Sequence, residues 1–312
     1  NLIDPYAREW QNGCGRWDLL DVVRCAHALR PEGIEWPQAE DGSTSFKLER
    51  LTAANGLAHD SAHDALSDVR ATIALARLLR QKQPKLFDFC LALRKKDRVA
   101  QELGLPATLR EVRPFLHVSG RFGAARGCIA VMAPLAMHPT NKNELLAWDL
   151  SADPAELADL KPDEVRARLF TAGADLPEGV ARLAIKGVHL NKSPIVIGNL
   201  KTLRPELAER WGIDMAQAAR HAEVLRALPD LSALWPAVYE RPRGAEALDV
   251  DEDLYGGFVG NNDRRRLEAL LSLSPEELAR DRTGFDDGRL AELVFRYRAR
   301  NFPETLNETD AE

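Results

Sequence analysis

The sequence predicts a fold that is α/β in its first part, α+β through its middle and helical at its end. Three observations predict it. A stretch from about Asp64 to Gln81 sets Leu66, Val69, Ile73 and Ala76 on one stripe, the 3-4-3 spacing of a packed amphipathic helix. Four short runs, Leu116–Ser119, Cys128–Met132, Leu145–Leu150 and Leu183–Leu190, are apolar or alternating and are bounded by Gly, Pro or Asn, the pattern of short strands. Beyond about residue 238 the strand pattern stops, and Asp263–Leu273 and Arg289–Arg300 read as helices. With 312 residues there is room for two or three cores, since one core rarely grows past about 200 residues.

Taken in order, residues 1–83 open with aromatic side chains (Tyr6, Trp10, Trp17) and continue through an apolar helical stretch near Leu19–Leu29. A polar loop about Pro31–Ser45 then leads to the long helix, which Gln83-Pro84 breaks because proline lacks the N–H and clashes with the preceding turn. Residues 84–237 interleave the strand-like runs with helix starts at Asp153-Pro154 and Lys161-Pro162, each with acidic residues in its first turn. Arg204-Pro205 opens a further helical region that runs to about Leu228. Small strands recurring among helices predict a small barrel with helical insertions. Residues 238–312 begin with an acidic loop, Glu246 to Asp253, and end in a polar stretch from Asn307.

Composition bounds the function classes. Hydrophobic residues are 45% and charged residues 29%, as in soluble globular proteins, and no apolar run approaches the roughly 18–20 residues that cross a bilayer. The start, Asn1-Leu2-Ile3-Asp4-Pro5, has neither an initiator Met nor the pattern of a signal peptide, and the expectation is a chain cut from a longer one. Cys14, Cys25, Cys90 and Cys128 form no C-x-x-C pair and do not combine with the histidines at zinc spacing, so free thiols in a reducing cytoplasm are expected. A net charge of −6 does not advertise a nucleic-acid binder. Yet Arg80 to Arg126 holds eleven Lys/Arg against four Asp/Glu, a local excess of +7. Such a stretch can neutralise phosphates and release counterions, or it can be a solvated helix face; charge alone leaves both open.

The run Ala62-His63-Asp64-Ala65-Leu66-Ser67-Asp68-Val69-Arg70-Ala71-Thr72 places an imidazole and a carboxylate five residues apart at a helix start. Five residues turn a helix through about 500°, or about 140° net, so the two converge only if His63 lies on the entering loop or first turn. From there it reaches over the helix start while Asp68 points from the second turn into the same cleft. Carboxylates suit a hard divalent cation, and an imidazole titrating near neutrality suits deprotonation of an attacking water. Alone, the pattern also fits a surface histidine and a solvated carboxylate. Asp64 fits a residue that favours the helix N-terminus electrostatically.

This run resembles the third motif of the DEDDh exonucleases, in which four acidic residues hold two divalent metals and a histidine ahead of the last Asp is the general base. Two such ions stabilise the attacking and leaving oxygens of phosphodiester hydrolysis. Further runs widen the resemblance: Arg16-Trp-Asp-Leu-Leu-Asp-Val22, Leu29-Arg-Pro-Glu-Gly-Ile-Glu-Trp-Pro37, Ser45-Phe-Lys-Leu-Glu49 and His117-Val-Ser-Gly-Arg-Phe-Gly123. With Ala133-Pro-Leu-Ala-Met-His-Pro139, Val188-His-Leu-Asn-Lys-Ser-Pro194 and Tyr297-Arg-Ala-Arg-Asn-Phe-Pro303, they make the whole chain similar, in order, to the exodeoxyribonuclease I family. The resemblance implies the C-terminal part of a ribonuclease-H-like exonuclease domain over 1–83, an SH3-like DNA-binding domain over 84–237 and a helical C-terminal domain, incomplete, over 238–312. It implies a 3′→5′ exonuclease specific for single-stranded DNA that releases 5′-mononucleotides in DNA repair and recombination. Two Mg2+ (or Mn2+) would be held per site, with His63 as general base and Asp68 as a metal ligand. The family's Asp-x-Glu motif and its second-motif Asp would lie upstream of Asn1. The chain as given is therefore expected to lack three of the four metal carboxylates and to be inactive alone.

The same resemblance implies DNA contacts at Tyr6, Trp10, Arg24 and Lys47 in the first segment and at Asn143 and Lys186 in the second, with Lys192 a weaker candidate. The residue types fit, since rings stack bases at about 1–3 kcal/mol each and cations hold phosphates. By residue type alone Trp10 reads as core. Arg30, Phe89 and Arg113 are implied in a basic, partly apolar pocket that takes the acidic C-terminal tail of single-stranded-DNA-binding protein, arginine being suited to a carboxylate. Interdomain packing is the alternative for each. The expected partners are single-stranded DNA and that tail, with no membrane, for a monomer in the cytoplasm. Two rival readings stand beside this one: an RNA-trimming or proofreading relative, against which residues 84–312 argue, and a non-catalytic single-stranded nucleic-acid-binding or scaffolding protein.

Overall fold

Helix-starting side chains organise the first part of the chain. A computed structural model describes residues 11–58, 64–106, 108–240, 249–253 and 259–306. Asp18 begins α1 (Leu19–Leu29) by accepting from Leu20 N at 2.8 Å, which satisfies an otherwise orphaned donor. Asp64 caps α3 (Ala65–Lys82) in the same way, accepting from Ser67 N at 2.9 Å. Between them lies α2 (Leu48–Ala54), and α4 (Pro84–Ala92) follows with Pro84 in its first turn, where the missing N–H costs nothing. These helices share a core of Val23, Ala26, Ile34, Leu51, Leu75, Leu79 and Phe87.

The long helix α3 forms where its periodicity predicts, with a different face inward. Leu66, Val69 and Ile73 are 56%, 55% and 45% exposed, whereas Ala71, Leu75 and Leu79 are buried against α1, α2 and α4. Ile73 and Leu75 lie about 200° apart around the axis, so the two stripes are on opposite sides. A helix apolar on two faces carries the right period and an ambiguous phase. Its neighbours decide which face is buried.

Residues 115–197 supply five strands: β1 (Phe115–Val118), β2 (Ile129–Met137), β3 (Glu144–Asp149), β4 (Ile185–His189) and β5 (Ile195–Ile197). They form one antiparallel sheet of order β4-β3-β2-β1-β5. The first four fall on the predicted runs. The three-residue β5 has too few residues to show alternation, and only its pairing with β1 makes it a strand. A register shift between Pro134 and Ala136 leaves an extra residue opposite β3, a bulge that accommodates a proline within a strand. Strands β1 to β3 are buried on both faces, with Trp148 fully enclosed and its Nε1 donating to Ala152 O at 2.8 Å. Around the sheet stand α5 (Lys96–Leu103), α6 (Pro162–Phe170), α7 (Pro205–Arg210), α8 (Met215–Ala227) and α9 (Leu234–Tyr239).

The helical start and the sheet share a second core, because α1 packs against β1 and β5. Trp211 locks this junction. Its Nε1 donates to Ala28 O at 2.9 Å, and its ring covers Gly127, whose φ of 61° and bare Cα a side chain could not match. His27 lies buried among the rings of Trp36, Phe46 and Trp211, with Nε2 3.0 Å from Thr44 Oγ1. Burial, then the charge of Arg210, pushes its pKa down to about 4, so it folds neutral.

The chain divides into two compact units, Asn1–Glu240 and Arg241–Glu312. The second contains α10 (Asn261–Leu270), α11 (Pro275–Arg280) and α12 (Arg289–Asn301). Ser274 and Glu277 form a reciprocal capping box at the start of α11. Buried Asp263 accepts from Asp286 N and Asp287 N, both at 2.9 Å, and pairs with Arg266 at 2.9 Å. Those N–H donors, with the guanidinium, hold its carboxyl below the usual carboxylate range.

Candidate nucleic-acid interface

In the first unit, α1, α2, α3 and the turn after β4 enclose a cleft of about 1210 Å3. Its floor is apolar (Val23, Leu51, Leu75), and its rim is cationic, with Arg16, Arg24, Lys47 and Lys192. It therefore brings Arg24 and Lys47 together. Arg24 pairs with Asp21 at 2.7 Å and lies 5.9 Å from the centroid of the Phe46 ring. Its Nε is buried without a hydrogen-bond acceptor. Trp17 also lines the cleft, but its Nε1 donates to Cys90 O at 3.2 Å and its ring meets Phe87 edge-on, so it is partly a packing residue. The opposite lip is anchored by Ser193, whose Oγ donates to Arg16 O at 3.0 Å.

Asp68 lies in the first turn of α3, not the second, and is half-buried. Thr72 donates from Oγ1 to the Asp68 carbonyl at 2.8 Å. Asp68, Thr72 and Leu75 fall on one helix face, and the last two line the cleft, which sets Asp68 at the continuation of its wall. His63, Tyr6 and Trp10 lie outside the described residues. Among the described residues no three His, Cys, Asp or Glu side chains converge as a metal-binding group. Magnesium requires near-octahedral oxygen coordination, and one carboxylate does not fit a two-metal centre by itself.

Asn143 and Lys186 stand away from the cleft lining. Asn143 Oδ1 accepts from Lys96 Nζ at 2.6 Å, so a cation from the basic stretch already engages it. Lys186 is half-buried in β4, with its Nζ 3.4 Å from Gly187 O. Burial, then the nearby Arg121, pushes its pKa below the usual lysine value, while Asp21 and Glu144 oppose the shift. His117 is buried in β1 with Nδ1 2.9 Å from Ile195 O; burial, then the charge of Lys186, drives its pKa down to about 3. Arg121 thus enters a cluster that residue-by-residue reading did not single out, although it sits within the quoted Gly-Arg-Phe-Gly run.

A second cavity, of about 520 Å3, brings Arg30 and Phe89 together with Lys85, Leu86, Ile197 and Thr202. Arg30 is oriented there by donating from Nη1 to Thr202 O at 3.0 Å. Arg113 is not among the lining residues. It precedes β1, is exposed, and has its Cδ 3.9 Å from where a side chain on Gly104 would begin, beyond the end of α5.

The family described as Exonuclease I SH3-like domain matches residues 94–241, and that described as Exonuclease I C-terminal domain matches residues 248–312. Exodeoxyribonuclease I of Escherichia coli (strain K12) is 44% identical over 308 residues, 98% of this chain and 64% of the relative. Exodeoxyribonuclease I of Buchnera aphidicola subsp. Acyrthosiphon pisum is 35% identical over 303 residues, 97% of this chain and 71% of the relative. Among solved structures, E. coli Exonuclease I in complex with a dA16 oligonucleotide matches with a TM-score of 0.82 at 42% identity, over 100% of this chain and 65% of that one. The ExoI/SSB-Ct complex matches with a TM-score of 0.80 at 41% identity, over 100% and 64%. This chain spans a little under two thirds of the length of the E. coli relative.

Proposed function

Because this chain belongs to the exodeoxyribonuclease I family, we propose that the whole protein is a metal-dependent 3′→5′ exonuclease acting on single-stranded DNA. The observation that carries the proposal is similarity to exodeoxyribonuclease I along 98% of the chain. The apolar-floored, cation-rimmed cleft supports it, since single-strand binding combines stacking surfaces with phosphate-neutralising cations. In this reading the products are 5′-mononucleotides and the role is DNA repair and recombination in the cytoplasm, by a monomer. His63 is the base that takes a proton from the attacking water, and Asp68 is one ligand of the divalent ions, Mg2+ or Mn2+. Tyr6, Trp10, Arg24, Lys47, Asn143 and Lys186 contact the strand. Residues 1–83 belong to the exonuclease domain, 84–237 to the SH3-like domain and 238–312 to the C-terminal domain.

The cavity holding Arg30 and Phe89 is proposed to receive the acidic C-terminal tail of single-stranded-DNA-binding protein, with Arg113 outside its lining. The ExoI/SSB-Ct complex of a relative supports this partner. The test is digestion of 5′-labelled dT16 by the whole protein with Mg2+. Stepwise shortening from the 3′ end is expected, with duplex DNA and RNA resisting. His63→Ala should lose about 10²–10⁴ in rate with DNA binding retained, the range for a positioned base. The 312-residue polypeptide by itself should bind the strand and leave it intact. Failure of the whole protein to shorten dT16, or equal digestion of RNA, rejects the reading.

A further inference from the structure

A chain of neighbours links cations from three separate elements, of which Arg24 lines the cleft. Arg24 belongs to α1, Arg121 to the turn after β1 and Lys186 to β4. Gly120 permits the approach of Arg24: its guanidinium lies 2.8 Å from where a Gly120 Cβ would be, so it rests against the residue adjoining Arg121. The Lys186 ammonium lies within electrostatic reach of Arg121 and of Asp21, the carboxylate that pairs with Arg24.

The local anions do not balance this cluster. Asp21 is within reach, and it bonds Arg24 at 2.7 Å. Glu144 is already approached by Asn141 Nδ2 at 3.2 Å and by His189 Nδ1 at 3.8 Å. Among the described residues the Arg121 guanidinium has no hydrogen-bond acceptor, the Lys186 ammonium has one distant carbonyl, and Arg24 Nε has none. Like charges brought together and partly desolvated are unfavourable unless an anion joins them. Cationic donors on neighbouring elements suit a phosphate, whose oxygens accept charge-assisted bonds from both guanidinium and ammonium.

We propose that Arg24, Arg121 and Lys186 jointly hold one backbone phosphate of single-stranded DNA, with Arg121 a contact that the family resemblance does not imply. The proposal rests on the single-stranded-DNA reading and deepens it. The phosphodiester sits between α1 and the β1–β2 turn, so this one contact ties the strand to both the helical start and the sheet. A phosphate monoester, such as the end of a released mononucleotide, shares the chemistry and is the competing source.

The experiment uses the 312-residue chain and labelled dT16, with fluorescence anisotropy from about 50 to 300 mM salt. Arg121→Gln and Lys186→Met should each weaken binding about tenfold at the low end, as for the loss of one charged hydrogen-bonding partner. The slope of log affinity against log salt should fall by about 0.7 when the phosphate is lost. The double variant should weaken binding by less than the product of the singles, because one phosphate is shared. Circular dichroism melts check folding, and if Lys186→Met unfolds, Arg121→Gln on its exposed turn decides alone. Parental affinity and slope in Arg121→Gln, with Lys47→Gln weakened, overturn this site and leave the DNA reading standing. Absence of dT16 binding by the parent chain overturns both. Competition by dTMP that depends on Arg121, with dT16 affinity unchanged in Arg121→Gln, reassigns the site to a monoester and overturns the strand contact.

Discussion

Replacing Gly127 by alanine isolates the contact that joins the helical start of the chain to the sheet. A Cβ at Gly127 would lie 2.5 Å from Cδ2 and 2.6 Å from Cε2 of Trp211, closer than side chains approach one another. The indole cannot easily give way: its Nε1 is bonded to Ala28 O at 2.9 Å, and the Arg210 guanidinium sits 4.5 Å from the ring centroid. Overpacking of this kind costs about 1–3 kcal/mol. The left-handed backbone at Gly127 (φ 61°, ψ 16°) adds about 1–2 kcal/mol for any L side chain, partly offset by a stiffer unfolded chain. Gly104 supplies the control, since it has nearly the same backbone (φ 67°, ψ 31°) and only the flexible Arg113 Cδ at 3.9 Å. The difference between Gly127→Ala and Gly104→Ala should therefore report the Trp211 clash alone, about 2 kcal/mol. With an m-value of about 2 kcal/mol per molar, that is about 1 M in urea midpoint, read by tryptophan fluorescence. Unfolding free energies for the two variants agreeing within about 0.5 kcal/mol would refute the reasoning.

Other consequences are equally concrete. Ile73→Ala on the exposed face of α3 should change stability by less than about 0.5 kcal/mol, while Leu75→Ala on its buried face should lose about 2–5 kcal/mol; reversed values in urea unfolding reject the observed phase. His27 and His117 fold with pKa values of about 4 and 3, below the ordinary 6.5, so the unfolded chain binds protons that the native chain refuses. Their stabilising effect is complete above about pH 6.5 and declines as pH falls toward 4, by up to about 1.4 kcal/mol per pH unit for each, and His27→Gln should flatten the curve of midpoint against pH. Arg30→Ala should weaken binding of an acidic tail peptide by about tenfold or more in calorimetry, and Arg113→Ala, outside the cavity lining, by much less; equal losses count against that geometry.

Much of the architecture was readable from local pattern. The caps at Asp18 and Asp64, the break at Pro84 and four of the five strands each depend on residues within a few positions of one another. The His63 to Asp68 run and the ordered set of family-like stretches are also properties of the chain as written. The naming of Arg24 and Lys47 as DNA-contact candidates came from resemblance and not from spacing; the fold brings the two together in one cleft.

What the chain alone left undecided was every choice that needs a distant partner. Period in α3 specified two apolar faces, and only packing by α1, α2 and α4 selected Ala71, Leu75 and Leu79 for burial. The strand β5 exists because Ile195–Ile197 finds β1, and the cavity beside Arg30 exists because Thr202 and Ile197 come to it from afar. Arg113, three residues past Arg110 in the basic stretch, turned toward Gly104 instead. Arg24 meets Gly120 only after α1 has docked on the sheet. Periodicity encodes which side chains can share a face at a cost of a few residues of order. Which face is desolvated, and which charges become neighbours, depends on contacts between segments far apart in sequence, and those are settled when the cores close.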